Sequence, residues 1–201
     1  MKNLFLICGK SNSGKDTLVN AVVNNAFVKD LKKATSFTTR PKRVGEFDGI
    51  NYNFITEQDF EEKLIQGEIL EYESYFIQSK NTNWLYGSTK SELTKGDNVI
   101  AIVNPKGLKS ILATDLGIKA TTIFIDCEDR TRLKRALKRD ANVKEIINRY
   151  ERDERDFDDM SLYDFRVINE DFCSAYNHLT KILYDKIYNK PMYDKIMEWF
   201  N

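Results

Sequence analysis

The sequence predicts an α/β fold in which a parallel sheet is covered by helices on both faces, a three-layer αβα arrangement. Three observations carry that prediction. Leu4-Phe5-Leu6-Ile7-Cys8 is a continuous apolar run, the pattern of a strand buried on both faces. Further short apolar runs alternate with helical periodicities along the chain, the order expected of βαβ units. Between the first run and the first helical segment lies Gly9-Lys10-Ser11-Asn12-Ser13-Gly14-Lys15, a G-x-x-x-x-G-K loop in strand–loop–helix context.

Taken in order, the first strand covers residues 3–8. Leu18, Val19, Ala21, Val22 and Val23 recur at amphipathic spacing and predict a helix over 15–25. A strand near 33–37 precedes a lobe with strands near 51–54, 69–75 and 85–87 and a helix at 57–66. Strand 98–103, helix 105–113, strand 119–126, helix 129–139, helix 142–157, strand 165–168 and helix 170–188 complete the pattern. Pro191 opens a last segment, 191–201, in which Met192, Tyr193, Ile196, Met197 and Phe200 are apolar. That segment is expected to pack on the domain or serve an oligomer contact. Ligands are expected at the carboxyl ends of the parallel strands.

Composition narrows the function classes. The 201 residues suit one domain with a full core. Basic and acidic residues balance at 31 each, which argues against a nucleic-acid binder working by bulk charge. Charge is uneven locally, basic over Asp129–Arg139 and largely acidic over Asp153–Asp164. Cys8, Cys127 and Cys173 are widely spaced without metal-ligand spacing, so reduced thiols and a cytoplasmic setting are expected. His178 on a late helix reads as structural. The N-terminus turns into a strand too quickly for a signal peptide, and no apolar run is long enough to span a membrane.

The glycine-rich loop offers backbone N–H groups and a helix N-terminus to a polyphosphate, with Lys15 reaching the β/γ oxygens. After the lysine, where Ser or Thr usually ligates Mg²⁺, stands Asp16, followed by Thr17. Asp16 has two readings: a Mg²⁺ ligand, direct or through water, or a charge that repels phosphate. Ser36 to Phe54 reads S-F-T-T-R-P-K-R-V-G-E-F-D-G-I-N-Y-N-F. Its Arg40, Arg43 and Tyr52 supply the donors for a second, separate phosphate, and guanidinium forks suit phosphate better than lysine does. Two phosphate sites so near in sequence suggest phosphoryl transfer between them.

The pattern S-x-T-T-R-x-x-R-x-G-E-x-x-G-x-x-Y-x-F resembles the signature of guanylate kinases. Gly67-Glu68-Ile69-Leu70-Glu71 resembles that family's G-E-F-L-E strand, and Tyr86-Gly87-Ser88-Thr89 its Y-G-T/S segment. Tyr163-Asp164 through Val167-Ile168-Asn169 is similar to its late D-x-V-I-x-N strand end. The resemblance runs from Leu4 to about Leu183. It implies a P-loop three-layer core, a small mixed-β nucleoside monophosphate-binding lobe and a helical lid. Within a single domain over 1–201, the core is expected at about 1–35, 96–128 and 158–190. The lobe falls at about 36–95, the lid at about 129–157 and a C-terminal extension at 191–201.

By the resemblance, Gly9, Ser11, Asn12, Ser13, Gly14, Lys15, Asp16, Thr17 and Asn169 form the ATP site. Ser36, Arg40, Arg43, Tyr52, Glu71, Tyr86, Ser88 and Asn104 form the GMP site, with Arg40, Arg43, Tyr52 and Tyr86 on its phosphate. Guanine presents N1–H and a 2-amino group side by side, two donors that the Glu71 carboxylate can accept together. Arg132, Arg135 and Arg139 share one helix face at i, i+3 and i+7. The resemblance sets Arg135, Arg139 and Arg149 around the ATP phosphates, where they join Lys15 and Arg43 as catalytic charges.

Two departures stand out. The family's D-x-D-x-Q-G becomes Ile102-Val103-Asn104-Pro105-Lys106-Gly107, so an apolar residue and an amide replace two aspartates. The stretch between Glu71 and Tyr86 is also several residues longer than the family's hairpin. The implied activity is Mg²⁺-dependent transfer of the ATP γ-phosphate to GMP or dGMP, by a monomer or homodimer that binds neither nucleic acid nor membrane. Two alternatives stand beside it. One is a deoxynucleoside monophosphate kinase of other or broader base preference, resembled at Gly14-Lys15-Asp16-Thr17. The other is a catalytically weak interaction module, which the intact Gly9, Gly14 and Lys15 disfavour.

Overall fold

The computed structural model describes residues 2–25, 27–77, 81–139 and 142–192. Strand β1, Asn3–Cys8, leads through the glycine-rich loop into helix α1, Lys15–Val23. Then come β2 (Leu31–Lys33), β3 (Phe37–Thr38), β4 (Asn53–Phe54), α2 (Glu57–Ile65), β5 (Ile69–Ile77), β6 (Thr82–Thr89) and a short α3 (Lys90–Leu93). The second half contains β7 (Asn98–Ile102), α4 (Pro105–Leu112), β8 (Ala120–Asp126), α5 (Asp129–Arg139), α6 (Val143–Asp156), β9 (Phe165–Ile168) and α7 (Phe172–Tyr188).

Five parallel strands form the main sheet in the order β2-β7-β1-β8-β9. Alternation along β1 divides its side chains between two cores. Phe5 and Ile7 pack with Leu18, Val19 and Val22 of α1 and Leu179 and Leu183 of α7. Leu4, Leu6 and Cys8 pack on the other face with Leu108 and Ile111 of α4. Each such fully buried Leu, Val or Phe is worth about 1.5–3 kcal/mol relative to exposure. This double burial is why β1 reads as an unbroken apolar run, and it fixes the phosphate-loop residues at the strand's carboxyl end.

The second sheet is mixed, in the order β4-β3-β6-β5, with β3 and β4 parallel and the other pairs antiparallel. The strand expected near 33–37 is two strands that serve different sheets. Lys33 pairs with Ile100 in the main sheet, whereas Phe37 pairs with Gly87 in the second. Thr35 and Ser36 carry the chain between them. The helix expected over 15–25 stops at Val23. The Asn25 side chain accepts a 2.7 Å bond from the Phe27 N–H and turns the chain away.

The long stretch after Glu71 lengthens the hairpin itself, with β5 and β6 paired out to Ile77 and Thr82. Residues 78–80 and residues 193–201 lie outside the described residues. Helix starts that matter below are capped by side chains. Asn104 caps α4 and is followed by Pro105 at the first helical position, and Asn142 caps α6.

Candidate active site

One cavity of about 970 Å³ takes residues from the glycine-rich loop, the second sheet and helices α5 and α6. The loop end contributes Gly9, Ser11, Asn12, Gly14, Lys15, Asp16 and Thr17. The second sheet and its connections contribute Ser36, Arg40, Arg43, Tyr52, Glu71 and Tyr86, and the start of α4 contributes Asn104. Arg135, Arg139 and Arg149 line the same space. Of the residues named from the sequence, Ser13, Ser88 and Asn169 are buried and lie outside its lining.

The loop is braced from several sides. Gly14 precedes α1 with φ +85°, and a β-carbon there would meet Asn169 Nδ2 at 2.4 Å. No side chain fits that conformation and that space together. Asn169 Nδ2 donates to the Ser13 carbonyl at 2.6 Å. Arg135 donates to the same carbonyl at 3.1 Å and to the Asn169 carbonyl at 2.8 Å. Ser13 Oγ is buried and has no hydrogen-bond partner among the described residues.

A buried network that sequence reasoning missed ties α6 to the loop. The Ser11 N–H donates to Asp153 Oδ2 at 2.8 Å, and Ser11 Oγ bonds Asp153 Oδ1 at 3.1 Å. Arg132, fully buried, donates to the Ser11 carbonyl at 2.9 Å, to Asp129 at 2.6 Å and to Asp153. The Tyr150 ring covers its guanidinium at 4.4 Å. The shared face of Arg132, Arg135 and Arg139 was visible in the spacing. The signal for Asp153 was its position four residues after Arg149 on one amphipathic helix.

Lys15 and Asp16 open α1. Lys15 Nζ lies 3.9 Å from Asp16 Oδ2, and the Asp16 side chain is 63% exposed. Among the described residues no group of three or more His, Cys, Asp or Glu could hold a metal. Mg²⁺ normally uses one or two carboxylates with substrate phosphates and waters, so a lone carboxylate suits a cation that arrives with a polyphosphate.

The second set of donors is organised around Glu46. Arg40, buried to 3% exposure, makes a two-pronged bond to its carboxylate at 2.8 and 2.9 Å. The Arg43 N–H donates to the same carboxylate at 2.8 Å. This pins the turn that carries both arginines. The Arg40 guanidinium also faces the Tyr52 ring at 5.4 Å, and Tyr52 meets Tyr86 edge-on at 5.8 Å. Partial burial and then the charges of Arg40, Arg139 and Arg149 lower the Arg43 pKa. Guanidinium groups from the second sheet, α5 and α6 therefore repel one another across a space that an anion would stabilise.

Glu71 pairs with Ser88 across β5 and β6. Burial lifts its carboxyl above the usual range, against the Ser88 hydrogen bond, which opposes the rise. Near it Asn104 uses its oxygen to cap α4, accepting from the Gly107 N–H at 2.6 Å. Its amino group donates to Glu73, which also accepts from the Tyr75 hydroxyl at 3.0 Å. Helix α6 reaches this corner through Arg152, which stacks over the Tyr75 ring at 4.3 Å.

Comparison with known proteins identifies the family. The family model for guanylate kinase matches residues 1–186. The guanylate kinase of Francisella tularensis subsp. holarctica strain OSU18 is 34% identical over 185 residues, covering 89% of this chain and 94% of the relative. That of Malacoplasma penetrans strain HF-2 is 33% identical over 197 residues, covering 93% and 95%. A crystal structure of guanylate kinase from Anaplasma phagocytophilum shares the fold with a TM-score of 0.66 at 22% identity, over 90% of this chain and 84% of that one. With the family model matched over nearly its whole length and relatives above 30% identity, this chain belongs to the guanylate kinase family.

Proposed function

We infer that the protein transfers the γ-phosphate of ATP to GMP, giving ADP and GDP, and that dGMP is accepted as well. The observation that carries this reading is a single cavity holding a phosphate loop, the Arg40–Arg43–Tyr52 donors and the half-buried Glu71 carboxylate together. A base-selecting carboxylate suits guanine, whose N1–H and 2-amino group are both donors, and opposes adenine, which presents an acceptor at N1. Other base preferences and an inactive interaction module are not favoured.

In this reading the loop N–H groups, the N-terminus of α1 and Lys15 hold the β- and γ-phosphates. Arg40, Arg43, Tyr52 and Tyr86 hold the GMP phosphate and set it for in-line attack. Glu71 reads the base, with Ser36, Ser88 and Asn104 around it. Arg139 and Arg149 offset the charge that moves with the phosphoryl group, and Arg135 both braces the loop and faces the cavity. Ser13 and Asn169 act from behind, by shaping the loop. Positioning and charge neutralisation suffice, and no covalent enzyme intermediate is required.

Mg²⁺ accompanies ATP in the proposal, where Asp16 would be the side chain that holds it and the cation would offset the negative charge of the phosphates. Segments 1–35, 96–128 and 158–190 are read as the core, 36–95 as the acceptor lobe and 129–157 as a closing lid. No helix among the described residues is long and apolar enough to cross a membrane. A monomer or homodimer in the cytoplasm is the proposed setting.

The test uses ATP labelled in the γ-phosphate, incubated with GMP and the purified protein. The label should appear in the β-phosphate of GDP, with none retained on the protein. Label released only as inorganic phosphate, or held covalently by the protein, would contradict direct transfer.

A further inference from the structure

We infer that Glu73 is a positioning residue for guanine selection, holding the Asn104 amide so that its oxygen stands beside Glu71 as a second acceptor. This rests on the reading that Glu71 and Asn104 face the base of GMP. The sequence leaves an apparent deficit at Asn104, an uncharged amide where the family pattern carries an aspartate. The structure brings another carboxylate to that amide from β5.

Two contacts decide which way the amide faces. The Gly107 N–H needs an acceptor and finds Asn104 Oδ1 at 2.6 Å. The Glu73 carboxylate accepts only, so it takes the Asn104 amino group. Reversing the amide would set donor against donor at Gly107 and acceptor against acceptor at Glu73, a double loss. The orientation therefore follows from the partners.

Glu73 is itself held. The Tyr75 hydroxyl donates to it at 3.0 Å, and burial raises the Tyr75 pKa, so the phenol keeps the proton it donates. The Tyr75 ring is clamped between Arg152 at 4.3 Å and Tyr86 at 5.5 Å. The outcome is local convergence of acceptors. A β-carbon built on Gly107 would lie 2.4 Å from Glu71 Oε2 and 3.2 Å from Asn104 Oδ1. The start of α4 thus has an oxygen of each residue close to Gly107; with Glu71 accepting N1–H and one amino hydrogen of guanine, Asn104 Oδ1 is the acceptor for the other amino hydrogen.

The arrangement makes a reciprocal prediction. Glu73→Gln removes the charged acceptor and gives Asn104 a partner that both donates and accepts, so only the Gly107 N–H still orients the amide. Asn104→Asp alone sets two carboxylates against each other. The double variant exchanges the groups. Its aspartate accepts from the Gly107 N–H and from the amide introduced on β5, which restores both bonds at position 104, while the Tyr75 hydroxyl, which shares one Glu73 oxygen with the Asn104 amide, turns to another partner.

The experiment measures steady-state kinetics for GMP and for IMP, which lacks the 2-amino group, with thermal unfolding of each variant as a folding control. In Glu73→Gln, KM for GMP should rise about tenfold and the preference for GMP over IMP should fall by a similar factor, the scale of one charge-assisted hydrogen bond. KM for ATP should not change. Asn104→Asp should also weaken GMP use, and the double variant should recover most of both losses. Unchanged GMP kinetics in Glu73→Gln, or additive losses in the double variant, would overturn the inference while leaving the functional reading intact. A fall in melting temperature with ATP and GMP affected alike would equally overturn it, as a purely structural role. No GMP phosphorylation by the unaltered protein would overturn the functional reading and this inference together.

Discussion

Asp153→Ala removes the acceptor that joins helix α6 to the phosphate loop. The Asp153 carboxylate is 8% exposed and faces the Arg132 guanidinium, which is completely buried. Its loss leaves Arg132 with the Ser11 carbonyl and Asp129, whose side chain is 68% exposed. It also leaves the Ser11 N–H without its 2.8 Å acceptor. Breaking one side of a buried ion pair costs about 3–5 kcal/mol. The retained Asp129 partner sets the expectation at the lower end, about 3 kcal/mol. For a chain of this length that is a fall in Tm of roughly 6–12 °C. Asp153→Asn keeps an oxygen for Ser11 and should lose about half as much. Calorimetry or circular dichroism at neutral pH reads the Tm, and steady-state kinetics should show KM for ATP rising more than KM for GMP. A variant that melts within about 2 °C of the parent, well short of that fall, with unchanged KM for ATP would refute the idea that this network holds the loop.

Two further outcomes follow from the site. If Asp16 acts at the metal, Asp16→Asn should raise the Mg²⁺ concentration for half-maximal activity; tighter ATP binding without metal and an unmoved Mg²⁺ requirement would show that it only repels phosphate. Glu71 must be ionised to accept both guanine donors, and its burial raises its pKa. GMP use should therefore fall, as pH decreases, above the ordinary glutamate value of about 4.3. The acid limb of kcat/KM for GMP should vanish in Glu71→Gln, which also loses most GMP activity; a limb centred at or below the ordinary value would contradict the burial argument.

Much of the fold was legible because periodicity reports burial. β1 is apolar throughout because both its faces are covered, and α1 and α7 show the spacing of a face packed on that strand. The crossing between sheets at Thr35 and Ser36 was not legible, since a local run of strand-forming residues does not reveal that Lys33 and Phe37 pair with different partners. At the site, the phosphate-loop glycines and the Arg40–Arg43 pair announced themselves through local chemistry. Glu46 as the anchor of both arginines, Asp153 as the loop's brace and Glu73 as the partner of Asn104 did not. Glu46 lies only six residues from Arg40 and three from Arg43, but its role depends on the turn that brings them together; the other two act through contacts that only folding creates, since Asp153 lies 142 residues from Ser11 and Glu73 lies 31 residues from Asn104.

The most direct test is ADP release measured for the unaltered protein over the eight common ribo- and deoxyribonucleoside monophosphates at saturating MgATP. A site that satisfies its base by hydrogen bonds rejects mismatched bases because buried polar groups are left unpaired. GMP should give the highest kcat/KM, with dGMP next, and AMP, CMP, UMP and dTMP should be poor acceptors. Rapid phosphorylation of dTMP or AMP with little activity on GMP would contradict the account at its centre, because Glu71 would then not be reading guanine.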